Sequence, residues 1–293
     1  MPNNTRRLRQ MLARTSVVVA PGAYDGLTAR LVEQAGFEAC YMTGAGTSAA
    51  RGFPDFGLIT MSEMVENAAM MARTLSIPLI ADADTGYGNE LNITRTVREY
   101  ESRGVAAMHL EDQVSPKRCG HLDGKEVVPV AQFVSHIRAA VAARRDPDFV
   151  IIARSDARAL NGLDDAIARV NAALEAGADV AFVEAPQSME ELAAIPRRVR
   201  GPCLVNIVAG GKTPMLSLDE AQAMGYRMAI IPGITLRAAV EGIDAALQAL
   251  RTTRRPPEPP SGFSVGDTFR RLGSDEWNAL RRNLQDDARA SED

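Results

Sequence analysis

The chain has 293 residues, 46% of them apolar, and a formal net charge of −4. That length suits one large α/β barrel, the apolar share supports a large core, and no apolar run approaches the ~20 residues of a membrane span. Interleaved charge and 5% aromatic residues exclude a nucleic-acid face, and three scattered cysteines (Cys40, Cys119, Cys203) exclude a disulfide framework or a zinc cluster.

The N-terminal stretch is basic but lacks the apolar centre of a secretory signal, and reads as a leading amphipathic helix. The implied setting is a reducing, cytoplasmic compartment, with neither membrane nor nucleic acid as partner. Short apolar runs then alternate with helically periodic segments, the rhythm of repeated βα units. Strands are predicted at 16–20, 39–42, 78–81, 106–110, 149–153, 180–183, 203–205 and 228–231. Between them the periodicity predicts helices over 26–35, 62–75, 91–103, 130–143 and 163–176, with a last one over 235–251. Pro21–Asp25 and Thr43–Ser48 read as loops. Beyond Arg251 a proline-rich linker (254–262) leads to an amphipathic stretch, 263–284, whose apolar residues need something to dock on. The expected division is a catalytic barrel over 1–251 and an interface extension over 252–293.

Polar residues fall at the carboxyl ends of these strands: Asp82, Glu111, Arg154, Glu184 and Asn206. A doubly wound sheet would also fit the rhythm, but so many strand ends bearing chemistry suit the single mouth of a (β/α)8 TIM barrel. Asp82 and Asp84, with Asp55 and Glu111 on nearby segments, offer oxygen ligands of the kind Mg2+ takes. Arg154 is placed for bidentate carboxylate recognition, with an ion pair to Asp156 or Glu184 as the alternative. The glycine turns at 44–46 and 210–213 match neither a phosphate loop nor a dinucleotide fingerprint, and read as backbone N–H donors to a substrate carboxylate. Cys40, Cys203 and His136 read as packing residues. The densest stretch is 107–125, where Cys119 lies between Lys117-Arg118 and Gly120-His121, a setting expected to lower the thiol pKa.

Lys-Arg-Cys-Gly-His at 117–121, after Glu-Asp-Gln at 111–113 and Asp-Ala-Asp-Thr-Gly-Tyr-Gly-Asn at 82–89, resembles the isocitrate lyase/phosphoenolpyruvate mutase superfamily. Tyr-Met-Thr-Gly-Ala-Gly at 41–46, Pro-Asp-Phe-Gly at 54–57, Ala-Arg-Ser-Asp-Ala at 153–157 and Asn206 to Pro214 follow in the same order. The resemblance implies a TIM barrel, Mg2+ (or Mn2+), and a homotetramer that exchanges its C-terminal helices between subunits. It implies a metal held by Asp82 and Asp84, with Asp55 and Glu111 acting through water. Thr43, Gly44, Ala45, Gly120, Arg154, Glu184, Asn206 and Arg237 match substrate-binding positions, and Cys119, Lys117, His121 and Tyr41 catalytic ones. The cysteine points to the branch that cleaves a carbon–carbon bond of a 2-hydroxy di- or tricarboxylate, yielding pyruvate or glyoxylate and a carboxylic acid. Oxaloacetate hydrolysis and phosphonate rearrangement are the alternatives. Val208 and Ala209 replace two polar residues usual in methylisocitrate lyases, which favours an alkylmalate over a tricarboxylate.

Overall fold

The computed structural model describes residues 3–259 and 263–290. The far end of the predicted linker (260–262) and the last three residues of the extension therefore lie outside the described residues. In chain order the elements are α1 (Asn4–Leu12), β1 (Val18–Ala23), α2 (Gly26–Gln34), β2 (Cys40–Met42), α3 (Gly44–Ala50), α4 (Met61–Thr74), β3 (Leu79–Asp82) and α5 (Glu90–Ser102). Next come β4 (Ala107–Glu111), α6 (Val130–Ala143), β5 (Val150–Ser155), α7 (Arg158–Asn161), α8 (Leu163–Glu175), β6 (Val180–Val183), α9 (Met189–Arg198) and β7 (Cys203–Asn206). The chain ends with α10 (Leu218–Met224), β8 (Met228–Ile231), α11 (Ile234–Thr253), α12 (Val265–Arg271) and α13 (Ser274–Ala290). The eight strands are parallel and close in sequence order, β8 pairing back onto β1, so the architecture is a (β/α)8 barrel.

Strand periodicity sorts the side chains. Ile80, Ala107, Val150, Ile152, Val180, Phe182, Leu204, Met228 and Ile230 fill the barrel interior. Their neighbours Leu79, Ala81, Met108, Leu110, Ile151 and Ala153 pack outward, in a cluster with Met64, Ala68, Val97 and Phe133 from the surrounding helices. Leu8 and Met11 of α1 join the interior cluster at 0% and 1% exposure, which makes α1 the floor of the barrel. Truncating Leu8 to Ala should therefore cost about 2–4 kcal/mol through lost burial and a residual cavity. The readout is a lowered thermal unfolding midpoint, and an unchanged midpoint would show that the floor is not tightly packed.

Three expectations are corrected. Strand β1 runs on through Pro21, Gly22 and Ala23, because pairing with β2 and β8 on both sides outweighs the strand-breaking tendency of Pro and Gly. Residues 44–50 form a helix, not a loop, and its N-cap is the Thr43 hydroxyl, which accepts from the Gly46 amide. The terminal stretch forms two helices, α12 and α13, interrupted at Gly273, whose φ of +88° the helix cannot accommodate. The chain divides into two compact units, Met1–Arg237 and Ala238–Asp293. In the second, Val240, Ile243, Leu247, Phe269, Trp277 and Leu280 are all exposed. No helix among the described residues is long and apolar enough to cross a membrane.

Candidate active site at the carboxyl ends of the strands

The period that fills the barrel also builds the site. Two residues beyond the interior positions Ile80, Ile152, Phe182 and Leu204 lie Asp82, Arg154, Glu184 and Asn206, and beyond Ala107 come His109 and then Glu111. All six are 7% exposed or less. In register, Asp82 stands beside His109 and Glu111 beside Arg154, so the ring of polar residues caps an apolar interior.

On one side of the mouth the carboxylates gather. One oxygen of Asp82 accepts from the Asp84 amide at 3.0 Å, the other from the Gly44 amide at 3.2 Å. A Cβ at Gly44 would run into the Asp82 carboxylate, so only glycine permits this approach. Lys117 reaches in from the loop after β4, with its Nζ 2.5 Å from Asp55 and 2.9 Å from Asp84. Burial, reinforced by Asp82 and Asp55 and opposed by Lys117, lifts the Asp84 pKa to about 6. Burial likewise drives Glu111 well above the usual carboxylate range, although Arg154 Nε lies 3.3 Å from one of its oxygens. Neither Glu111 oxygen has a hydrogen-bond partner among the described residues. Asp82 is held low, because His109, Lys117 and Arg154 outweigh its burial.

Such a donor set fits a hard divalent cation: carboxylate oxygens only, with Asp82 held charged and neither Glu111 oxygen hydrogen-bonded. Among the described residues no three His, Cys, Asp or Glu side chains converge to cage an ion unaided. That suits an ion that retains several waters, as Mg2+ does. Beneath the carboxylates the Tyr41 hydroxyl lies 2.8 Å from His109 Nε2 and 3.4 Å from Asp82. The Tyr41 and His109 rings stack at 5.8 Å, and burial lowers the His109 pKa to about 4, so the imidazole is neutral.

Opposite, Arg154 grips Asp156 through Nε at 2.8 Å and Nη2 at 3.1 Å, and its Nη2 is 3.7 Å from Glu184. Asn206 donates to both Glu184 oxygens at 3.1 and 3.2 Å. The ion pair that was the alternative for Arg154 is thus present, without removing the guanidinium from the mouth. Arg237 donates to the Ala209 carbonyl.

The loop 114–126 lies over these groups. Its Cys119 amide donates to the Asp55 carbonyl at 3.2 Å, and Arg118 stacks on Phe56, so two loops clasp. A Cβ on Gly120 would sit 2.5 Å from Arg154 Nη2 and nearer still to Glu184. His121 Nδ1 accepts from the Lys212 amide at 3.0 Å, and its Nε2 is 3.3 Å from Glu184. The expected thiol activation is reversed: burial, with Asp55 and Glu184 adding to it, raises the Cys119 pKa. The cations credited with lowering it are engaged elsewhere, Lys117 with carboxylates and Arg118 with Phe56.

Sequence reasoning brought the thiol, the carboxylates, Arg154, Glu184 and Asn206 to one mouth, and there they stand. It gave no role to His109 or Lys125, and named Asp156 only as an alternative ion-pair partner of Arg154. His109 carried a usable signal, two residues before Glu111 on one strand face; Asp156 and Lys125 meet only through the fold. Cys40 and Cys203 are buried and packed as expected.

The phosphoenolpyruvate phosphomutase family model matches residues 8–251. The chain is 46% identical to 2,3-dimethylmalate lyase of Eubacterium barkeri over 85% of its own length and 86% of the relative's. It is 43% identical to 2-methylisocitrate lyase of Aeropyrum pernix over 83% and 78%. Among solved structures, oxaloacetate acetylhydrolase bound to 3,3-difluorooxalacetate superposes with a TM-score of 0.93 at 40% identity, covering 97% of this chain and 98% of that one. Phosphonopyruvate hydrolase in complex with oxalate and Mg++ gives 0.86 at 31%, over 96% and 99%. The chain belongs to the phosphoenolpyruvate mutase/isocitrate lyase superfamily and is a lyase of it.

Proposed function

We propose that the enzyme cleaves the C2–C3 bond of a 2-hydroxy dicarboxylate, an alkylmalate in preference to methylisocitrate, in a divalent-metal-dependent retro-aldol reaction. The observation that carries this reading is a half-buried thiol, its pKa raised, in one mouth with a carboxylate cluster and an arginine. Asp82 and Asp84 would hold Mg2+, or Mn2+, with Asp55 and Glu111 acting through its waters. When bound, the ion supplies Lewis-acid stabilisation of the keto-acid product's oxygens.

The chain's own residues do the rest. Thr43, Gly44 and Ala45 line the keto-acid end, while Arg154, Asn206 and Arg237 meet carboxylates of the departing acid. The hydroxyl proton passes to water as C2 becomes a carbonyl carbon, and the C2–C3 electron pair passes to C3. Cys119 delivers its proton to C3, which yields pyruvate (or glyoxylate) and a carboxylic acid, and the thiolate is then re-protonated. The raised pKa suits a group that must arrive protonated. Tyr41 is a poor base, since burial and Asp82 keep its hydroxyl protonated; it serves as a hydrogen-bond donor. Lys117 and Glu184 neutralise and orient charge, and His121 braces the loop.

Val208 and Ala209 leave a third carboxylate without a polar partner. A screen of substituted malates, methylisocitrate, isocitrate and oxaloacetate, with pyruvate and glyoxylate detection, tests the assignment. Turnover of none but oxaloacetate, giving oxalate and acetate, would overturn it for the hydrolase reading, which the oxaloacetate acetylhydrolase likeness favours. A Gly120→Ala change should cut turnover about 100-fold by displacing the loop from Arg154, with Mn2+ affinity unchanged. Equal turnover would show that the loop need not seat there.

The exposed apolar residues of α11, α12 and α13, Trp277 at 69% and Leu284 at 61% among them, support a helix-swapped homotetramer. Sedimentation as a monomer would remove that part of the reading.

A further inference from the structure

The loop 114–126 is secured at its stem and along its first half by contacts of ordinary kinds. Gln113 and Val127 form an antiparallel bridge, the Val114 amide donates to the Glu126 carbonyl, and the Gln113 side chain braces the backbone of Arg118 at both N–H and C=O. The returning half is held at its surface by His121, which accepts from the Lys212 amide, and by the Asp123–Lys212 ion pair, and from beneath by Lys125. Lys125 is buried, with only 1% of its side chain exposed, although a free ammonium has every reason to seek water. Its Nζ donates to the carbonyl of Gly120 and lies 3.6 Å from Asp156. Asp156 is itself clamped by Arg154. Lys125 thus joins the peptide immediately after Cys119 to the carboxylate that orients Arg154.

We propose that Lys125 is the positioning residue of the thiol loop, fixing Cys119 over the mouth by tying the Gly120 carbonyl to the Asp156–Arg154 pair. Gly120 has no side chain with which to hold its place, and its backbone already abuts Arg154 and Glu184. Without the ammonium, the Gly120 carbonyl would lose its buried donor and Asp156 a neighbouring positive charge, and the loop would lift to hydrate the carbonyl. The inference rests on reading Cys119 as the proton donor, but its principal test does not.

That test is the alkylation of Cys119 by iodoacetamide in the Mg2+-supplemented enzyme, followed peptide by peptide. Cys40 and Cys203, each buried and pushed up to about 12 in pKa, serve as internal references. Lys125→Met should speed alkylation of Cys119 about 10-fold by populating the lifted loop, with the references unchanged. Its kcat should fall by a similar or larger factor while the Mn2+ dissociation constant holds, and Lys125→Arg should lie between the two proteins in both respects. If Lys125→Met does not give folded protein by circular dichroism, Lys125→Arg carries the test alone. A wild-type alkylation rate at Cys119 in whichever variant folds overturns the proposal. Accelerated alkylation in an enzyme that proves inactive on every 2-hydroxy acid would sink the lyase chemistry and leave the positioning role standing.

Discussion

Cys119→Ser should lower turnover about 1000-fold, within the range by which a positioned acid accelerates proton transfer, while Mn2+ binding stays at its wild-type strength. A serine hydroxyl fills nearly the same space but gives up its proton far less readily, so the defect is chemical and not steric. Burial raises the thiol pKa, which sets the sign of the pH dependence. The protonated form persists through the pH at which an exposed thiol would ionise, so turnover holds there and falls only at higher pH. Iodoacetamide, which needs the thiolate, runs the opposite way: slow near neutrality and accelerating as pH rises. Full turnover by the serine variant would remove Cys119 from the reaction, whatever its titration.

Asp82→Asn is expected to weaken Mn2+ binding by about 100-fold or more, followed by paramagnetic resonance, and to abolish turnover at ordinary Mg2+ concentrations. The fold should survive, because an asparagine oxygen can still accept from the amides of Asp84 or Gly44. What is lost is the carboxylate held low in pKa beside two neighbours whose pKa burial raises. Chelation of the wild-type enzyme should have the same effect, reversed by adding Mg2+. A chelator-treated enzyme that keeps its rate would exclude the metal from the mechanism.

The barrel was legible because apolar runs and strand-end polar residues repeat with a short period, and that period alone decides which side chains face inward. Asp82, Glu111, Arg154, Glu184 and Asn206 could be placed without coordinates for that reason. What resisted reading were properties created by distant approach. The thiol pKa is one: Lys117 and Arg118 are neighbours of Cys119 in sequence, yet Asp55, Asp84 and Phe56 claim both cations. The helix at 44–50 is another, since its glycines argue for a loop until the Asp82 carboxylate is seen lying where a side chain would be. Asp112, set aside from the active groups in sequence, takes hydrogen bonds from Ser155, the Asp156 amide and Arg169, and so belongs to the scaffold beneath the loop.

The α1 floor has a further bearing on how the enzyme must work. With Leu8 and Met11 sealing the lower end and side chains filling the interior, nothing can pass along the axis. The reaction chamber is blind-ended: substrate enters and two fragments depart by one doorway, beneath the loop that carries the thiol. The fragment seated deeper cannot overtake the one nearer the exit. Under the proposed reaction the acid protonated by Cys119 is therefore expected to leave ahead of the keto acid, an order that product-inhibition kinetics would check.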